Sequence, residues 1–133
     1  MTDFIRQDSL NRITNGDLGC FKELTLAMFS GKWKINILYH LDHDGDYHFN
    51  ELTRLLPRAS HKMITQQLNE LREDGLITKH TDKHHSITYT TYSLTPLGKS
   101  LIPILDMMYD WGKKRISDLK LDTASFPLSN KNL

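Results

Sequence analysis

Residues 60–73, with the sequence SHKMITQQLNELRE, form the stretch that decides the fold. Ile64, Leu68 and Leu71 recur at i, i+4 and i+7, a spacing that places the three side chains on one face of a helix. Ser60 precedes them, and its hydroxyl oxygen can accept a hydrogen bond from a free backbone N–H at the helix start. The stretch therefore predicts one amphipathic helix, about 21 Å long.

The outer face of this helix carries hydrogen-bonding groups in place of the Glu/Lys pairs of an ordinary surface helix. Its polar members are His61, Lys62, Thr65, Gln66, Asn69 and Arg72. A helix has the right diameter to enter a major groove about 12 Å wide, where amide and hydroxyl groups can pair with base edges. The pattern favours a surface that reads polar groups. The alternative is the solvated face of an ordinary α+β domain.

The segments on either side of this helix complete a winged helix-turn-helix pattern. Before it, Glu51–Leu56 is a short amphipathic helix, which we expect Asn50 to cap and Pro57 to end. Two short helices joined by a tight turn, the second polar on its outside, make a helix-turn-helix. After it, Leu76–His80 and Ile87–Leu94 read as two strands that enclose the polar loop TDKHHS and form a wing.

The last predicted helix, 96–118, is more apolar than a small domain can leave exposed. Thr95 can cap it, and Pro96 occupies its favoured first position. Its apolar residues recur at intervals of three and four, as in a coiled-coil seam. We therefore predict that this helix packs against a second copy of the chain. The predicted dimer interface consists of Leu97, Leu101, Ile104, Leu105, Met108 and Trp111.

The predicted fold is α+β and mainly helical, a winged helix-turn-helix with added N- and C-terminal dimerisation helices. Two helices, Cys20–Phe29 and Trp33–Leu41, precede the helix-turn-helix, so that the winged domain covers 20–118. Residues 1–19 are polar and weakly periodic, which indicates a flexible arm with one helical turn near Phe4–Leu10. Residues 119–133 lose the periodicity and are typical of a flexible tail.

The composition describes one globular domain with no bulk preference for a partner. The 133 residues suffice for one core, and 38% hydrophobic with 25% charged residues is ordinary. Because the net charge is only +1, a nucleic-acid binder of this composition must concentrate its basic groups locally. No apolar run approaches the roughly 20 residues of a membrane span, and no secretory signal is apparent. We expect a cytoplasmic protein.

The sequence predicts neither a cofactor nor a catalytic site. Its single cysteine, Cys20, excludes a zinc ribbon and an intramolecular disulfide. The DHDGD stretch at 42–46 resembles the start of an EF-hand, but Tyr47 and Thr53 occupy the positions that require Gly and Glu. The seven histidines have no carboxylate or thiol at a usual zinc spacing, so we predict no metal. There is no nucleophile elbow, phosphate-cradling glycine loop or HExxH, which argues against an enzyme.

The run from Cys20 to about Arg115 resembles the HxlR-type winged helix-turn-helix transcriptional regulators, relatives of the MarR group. The resemblance implies a homodimer joined through terminal helices, with the helix at 60–73 in the DNA major groove. In this family Pro usually follows the cysteine and often follows the serine, where this chain has Phe21 and His61. The matching residues are Cys20, Gly31–Trp33, Phe49–Leu52, Ser60, Lys62, Thr65, Gln66, Leu68, Leu71, Glu73–Ile77, Tyr92–Thr95, Leu97, Gly98, Trp111 and Gly112.

The residues around this helix predict two classes of DNA contact. Gln and Asn can pair bidentately with adenine, and the predicted base-reading residues are His61, Thr65, Gln66 and Asn69. Phosphate contacts fix the register, and we assign them to Arg54, Arg58, Ser60, Lys62, Lys83 and His84. The expected partner is a pseudo-palindromic double-stranded operator with half-sites about 34–36 Å apart or a multiple of that. We expect a repressor, because protein bound over a promoter blocks it.

Cys20 is the candidate for redox or electrophile sensing. It precedes the first predicted helix, where the helix dipole favours a thiolate, and similar regulators sense oxidants, quinones or aldehydes with such a cysteine. The alternative is a small buried hydrophobe. A cleft between the second helix and the dimer helices is a second place for a small-molecule effector. The rival function is a protein-interaction module that uses Leu97–Trp111 and does not bind DNA.

Overall fold

The computed structural model describes residues 5–122, 124 and 126, and it has the predicted α+β, mainly helical winged helix-turn-helix architecture. The chain divides into two compact units, Met1–Ser100 and Leu101–Leu133. In the part of the chain that is described, no helix is long and apolar enough to cross a membrane. The elements are α1 (Gln7–Thr14), α2 (Phe21–Phe29), α3 (Lys34–Asp44), β1 (Tyr47–His48), α4 (Phe49–Leu55), α5 (His61–Glu73), β2 (Ile77–His84), β3 (Ile87–Leu94) and α6 (Pro96–Asp118).

The core of the first unit forms around α5, which packs on α3, α4 and β2. Ile64, Leu68 and Leu71 are fully buried, as the helical spacing predicts. Trp33 is also part of the core. Among the described residues, five further apolar side chains are at most 1% exposed: Ile37, Leu38, Leu52, Leu56 and Leu76. This packing fixes the orientation of α5 and leaves its opposite face to solvent.

The three strands form one antiparallel sheet in the order β1-β3-β2. β2 and β3 are paired without interruption, from Ile77 opposite Leu94 to His84 opposite Ile87. His85 and Ser86 connect them with φ values of 50° and 66°, the left-handed conformation that a two-residue hairpin turn requires.

The wing is therefore longer than the sequence predicts. The sequence predicts a loop over the TDKHHS stretch. In the structure, its first four residues continue β2 and only the last two form the turn. The reason is that this part of the hairpin is exposed on both faces, so its strands need no alternation of apolar and polar residues. Backbone pairing alone keeps Thr81 opposite Thr90 and Asp82 opposite Tyr89.

The N-terminal segment is anchored to the end of α5 through Arg6. The Arg6 backbone N–H donates to Asp74 Oδ1 at 2.9 Å, and its Nε donates to Asp74 Oδ2 at 2.7 Å. Its Nη1 donates to Glu70 Oε1 at 2.9 Å, and its Nη2 donates to the carbonyl of Ala27 at 2.8 Å. The Asp74 side chain is fully buried, so this guanidinium supplies the donors that its carboxylate needs.

The segment anchored by Arg6 lies within the predicted flexible arm, residues 1–19. In place of one helical turn near Phe4–Leu10, the structure has the eight-residue helix α1, while Phe4 lies outside the described residues. The difference arises because Arg6 and Asp74 are 68 residues apart, and no local pattern reveals their contact. Of the predicted tail, 119–133, only residues 119–122, 124 and 126 are described, so most of that prediction lies outside the described residues.

The helices α3 and α4 each extend beyond a boundary that the sequence predicts. α4 begins at Phe49, so Asn50 lies within the helix and is not its cap. The backbone N–H of His48 donates to Glu51 Oε1 at 2.9 Å. This hydrogen bond gives a partner to the backbone N–H of the first residue outside the helix, which allows the helix to begin earlier. α3 continues through the first part of the acidic DHDGD turn to Asp44, where Asp44 Oδ2 lies 3.0 Å from the ring nitrogen Nδ1 of His40.

The start of α6 packs closely on the junction between α5 and β2. Thr95 caps the helix as predicted, because its Oγ1 accepts from the Gly98 N–H at 3.0 Å. The same hydroxyl donates to the carbonyl of Gly75 at 2.7 Å. A Cβ atom on Gly98 would lie only 2.1 Å from the carbonyl oxygen of Leu76, so only glycine fits there. Gly75 has a φ of 75°, the left-handed conformation expected after a helix end.

Candidate nucleic-acid interface

The N-terminus of α5 begins the candidate site, and its capping is the one predicted. Ser60 Oγ accepts from the Met63 N–H at 3.1 Å. The first turn contains His61 and Lys62 and no acidic residue, so no side chain there neutralises the positive end of the helix dipole. A helix end of this kind attracts phosphate oxygens. Because the Ser60 hydroxyl already serves as the cap, its predicted phosphate contact would be made in addition to that role.

The exposed face of α5 brings the four predicted base-reading residues together. His61, Thr65, Gln66 and Asn69 are all exposed, opposite the buried apolar stripe. Three of them also contact a neighbouring side chain within the chain. Gln66 Nε2 donates to Glu70 Oε2 at 3.3 Å, Asn69 Oδ1 accepts from Arg72 at 3.4 Å, and the His61 ring meets the Phe49 ring edge-on at 5.7 Å. These contacts restrict the directions in which the polar groups point.

The predicted phosphate-binding residues fall into two groups, both exposed. Arg54 lies in the last turn of α4, Arg58 in the turn between α4 and α5, and Lys62 in the first turn of α5. These three border the start of α5. Lys83 and His84 form the second group, at the outer end of β2 beside the hairpin turn. The His84 ring meets the His85 ring at 4.6 Å between centroids.

Beneath the exposed face lies a charged network that the sequence analysis missed. The Lys34 side chain is fully buried, and its Nζ donates to Glu70 Oε1 at 2.7 Å. Arg6 donates to the same oxygen at 2.9 Å. A signal was present in the sequence, because Lys34 lies three and four residues before the buried Ile37 and Leu38. A charged residue on the apolar face of a helix indicates a buried partner of opposite charge.

The electrostatics of this network keep Glu70 ionised. Burial alone would raise the pKa of the Glu70 carboxyl. The hydrogen bond and positive charge of Lys34, with smaller contributions from Gln66 and Arg6, outweigh that effect and hold the pKa below its usual range. At neutral pH the carboxylate therefore only accepts hydrogen bonds.

Cys20 is exposed and directly precedes α2 as its N-cap residue. This placement excludes the alternative of a buried hydrophobe. The next residue, Phe21, is 92% exposed, so a large apolar ring lies beside the thiol in sequence and is open to solvent. The Cys20 backbone is extended, with φ −154° and ψ 152°, and its carbonyl accepts from the Glu23 N–H at 2.9 Å.

The residues of the predicted dimer interface differ in exposure. Leu97 is half-buried, and Leu101 and Leu105 are buried in the single chain. The exposed apolar side chains on this helix are Ile104, Met107, Met108 and Trp111, of which Trp111 is 71% exposed. Met107 was not among the predicted interface residues, although it belongs to the apolar pattern. A contact with another molecule through α6 would therefore rely on these four side chains.

The described residues form a groove near the wing. It has a volume of about 670 Å³ and lies where the second half of α5 meets β2 and the start of α6, with both polar and apolar lining residues, among them Asn69, Arg72, Ile77 and Leu97. This is not the cleft expected between the second helix and the dimer helices. Within the described residues, no group of three or more His, Cys, Asp or Glu side chains lies together in a way that could hold a metal ion.

The short helix α4, the outward-facing helix α5 and the β2–β3 wing define a winged helix-turn-helix protein. The chain belongs to the HxlR-like helix-turn-helix family, whose pattern it matches over residues 28–120. Members of this family are transcriptional regulators and not enzymes, in agreement with the sequence analysis. The chain is 42% identical over 90 residues to the HTH-type transcriptional regulator YdzF of Bacillus subtilis, covering 68% of this chain and 82% of that protein.

Solved structures of two proteins show the same fold. The HTH-type transcriptional regulator ytcD is 42% identical, with a TM-score of 0.67 over 74% of this chain and 98% of that one. The reduced form of the redox regulator HypR is 37% identical, with a TM-score of 0.69 over 74% of this chain and 96% of that one. The oxidised form of HypR also matches, with a TM-score of 0.65. The chain is thus a transcriptional regulator of the HxlR type.

Proposed function

We propose that this regulator is a homodimer that binds a pseudo-palindromic operator through α5 and represses transcription. The observation that carries the proposal is the arrangement of α5. Its apolar stripe is buried in the core, whereas its polar face and its capped, acid-free N-terminus point to solvent. A helix held in this way can insert its N-terminal half into a major groove.

In this proposal, one set of residues contacts phosphates and another set contacts base edges. Arg54, Arg58 and Lys62 surround the N-terminus of α5, where cations and the helix dipole both favour phosphate oxygens. Ser60, at the helix start, adds a hydroxyl. Lys83 and His84 extend the contact along the DNA backbone through the wing. The base edges are then read by His61, Thr65, Gln66 and Asn69.

Dimerisation is proposed through α6, because it leaves an apolar surface open in the single chain. Trp111 and Met107 are 71% and 73% exposed, and Ile104 and Met108 lie beside them along the helix. Burying exposed apolar surface of this kind stabilises association. Of the other predicted residues, Leu101 and Leu105 are already buried within the single chain, so only the half-buried Leu97 could add to this surface. Sedimentation of the wild-type chain and of Trp111→Ser tests this contact, since a monomeric wild type would contradict it.

The experiment that tests DNA binding uses fluorescence polarisation at fixed salt. Labelled DNA from the region upstream of the protein's own coding sequence is compared with random DNA of equal length. We expect the wild type to prefer the upstream DNA, and the double variant Gln66→Ala/Asn69→Ala to lose most of that preference. If the wild type shows no preference for any sequence after in vitro selection, the proposal fails. Association of chains without DNA affinity would instead support the protein-interaction module.

We further propose that Cys20 makes the regulator responsive to oxidants or electrophiles. Two observations support this role: the thiol is exposed at the start of α2, and the fold is similar to that of HypR, a redox regulator. An exposed thiol at the start of a helix is accessible to oxidants and electrophiles. The test compares operator binding before and after treatment with diamide or a quinone. Equal binding before and after treatment would contradict the role.

A further inference from the structure

We propose that Glu70 is a specificity-determining positioning residue, which fixes the direction of the Gln66 amide so that its carbonyl oxygen reads an exocyclic amino group. The base contacted would then be adenine or cytosine, with adenine favoured. The inference rests on the proposed function, because it assumes that Gln66 faces a base edge.

The first step of the argument is that the Glu70 carboxylate cannot turn away. Its Oε1 accepts from Lys34 Nζ at 2.7 Å and from Arg6 Nη1 at 2.9 Å. The Lys34 side chain is fully buried, so rotation of the carboxylate would leave a buried positive charge without its partner. Arg6 is itself held by Asp74 at 2.7 Å. The carboxylate is therefore fixed on two sides by cations that belong to other parts of the chain.

The second step concerns the other carboxylate oxygen. Glu70 Oε2 lies 3.3 Å from Nε2 of Gln66, one turn earlier on the exposed face of α5. A carboxylate only accepts hydrogen bonds, and only the nitrogen end of the Gln66 amide can donate. The ionised Glu70 therefore selects one of the two orientations of that amide, because only Nε2 can donate to it.

The third step is the consequence for DNA. With Nε2 turned towards Glu70, the end of Gln66 offered to a base is the acceptor Oε1. In the major groove, adenine N6 and cytosine N4 are donors, whereas guanine O6 and thymine O4 are acceptors. Adenine is favoured over cytosine because the second hydrogen of Nε2 can still donate to adenine N7.

The test starts from an operator obtained by in vitro selection with the wild-type protein. The base pair read by Gln66 is the one at which Gln66→Ala loses preference. At that pair, purine replaces adenine, or 2-pyrimidinone replaces cytosine, to remove only the exocyclic amino group. We expect this replacement to weaken wild-type binding about tenfold and to leave Gln66→Ala binding unchanged. Unchanged wild-type binding would overturn the inference.

A variant of Glu70 tests the orientation directly. In Glu70→Gln the new amide must direct its oxygen to Lys34 and Arg6, so its nitrogen faces Gln66. Gln66 must then turn its oxygen inward and offer Nε2 to the base. Selection with this variant should exchange adenine or cytosine for guanine or thymine on the same strand, with about a tenfold change in preference at that position alone. Retention of the wild-type base by a folded Glu70→Gln protein would overturn the inference.

Two controls separate this effect from charge and folding. Glu73→Gln removes the same charge from an exposed position on the same helix, and we expect it to select the wild-type operator. Circular dichroism reports whether Glu70→Gln is folded, and the amino-group replacement decides the question with wild-type protein if it is not. If the wild type selects no operator at all, the proposed function fails. If it selects one that is insensitive to the amino group, only the role of Glu70 fails.

Discussion

Lys34 Nζ lies 2.7 Å from Glu70 Oε1, and this contact joins the buried face of α3 to the exposed face of α5. The two residues are 36 positions apart in the sequence. A fully buried ammonium is tolerated only with a well-placed partner, so the ion pair constrains where α5 lies on the core. Removal of either partner should leave the other charge without a partner. We expect this to lower the stability of the fold and to change DNA recognition by α5.

Acid should weaken the fold through Glu70. Its pKa is lowered in the folded protein, so the unfolded state binds the proton more readily. The stabilisation is fully present above the ordinary glutamate pKa of about 4.3 and is lost as pH falls through the lowered folded value. We expect the difference in unfolding free energy between wild type and Glu70→Gln to shrink from about pH 6 to about pH 3. Urea unfolding followed by circular dichroism measures it, and a constant difference would contradict the prediction.

Gly98→Ala should destabilise the protein although alanine is the better helix former. The added methyl group would meet the Leu76 carbonyl oxygen at 2.1 Å, and this backbone atom cannot move without disturbing the start of β2. We expect a loss of about 1–3 kcal/mol, as for other overpacked sites. Gly112→Ala is the matched control in the same helix, because nothing lies within 4 Å of its added Cβ, and it should stabilise by up to about 1 kcal/mol. Thermal unfolding that ranks the two variants in the opposite order would contradict this packing.

Gln66→Ala should lower affinity for the operator by about 1–3 kcal/mol and relax one base position in each half-site. The reason is that the exposed amide supplies hydrogen bonds to a base edge and contributes little to the fold. Competition binding with operators mutated one base pair at a time measures both effects. Equal losses on operator and random DNA would mean that Gln66 does not read a base.

Lys83→Ala should weaken binding to all DNA sequences alike. An exposed lysine at the end of the wing can neutralise one phosphate, so its removal should reduce the slope of log affinity against log salt by about 1. Polarisation titrations over a range of salt concentrations measure the slope. Lys22→Ala removes the same charge from the exposed surface of α2 and serves as the control. An unchanged slope for Lys83→Ala would remove the wing from the phosphate contacts.

Cys20→Ser should abolish the response to diamide and quinones while leaving basal operator binding intact. The substitution replaces the exposed sulfur with a smaller oxygen, which is well suited to cap α2. Binding of treated and untreated protein, with reversal of the diamide effect by a thiol reductant, provides the measurement. A variant that still responds would show that the signal acts elsewhere in the molecule.

Local patterns in the sequence were enough to predict the centre of the fold. The spacing of Ile64, Leu68 and Leu71 predicts both the helix α5 and its buried face, and the structure confirms it. Ser60 and Thr95 were also correctly predicted as caps, because a cap depends on residues within one helical turn. The same helical spacing also predicts which residues form the exposed polar face of the candidate site. The predicted boundaries of α4 and the predicted length of the wing are wrong. The first depends on a side-chain contact and the second on strand pairing.

The tertiary structure alone decided how that polar face is supported. Arg6, Lys34 and Glu70 are separated by up to 64 residues, and no periodic pattern connects them. The sequence by itself determined which face of α5 is apolar, because burial of apolar surface follows the 3.6-residue period of the helix. It could not determine that Arg6 and Lys34 share one carboxylate oxygen of Glu70. Ion pairing depends on distances between atoms from different helices, and those distances exist only once the chain has folded.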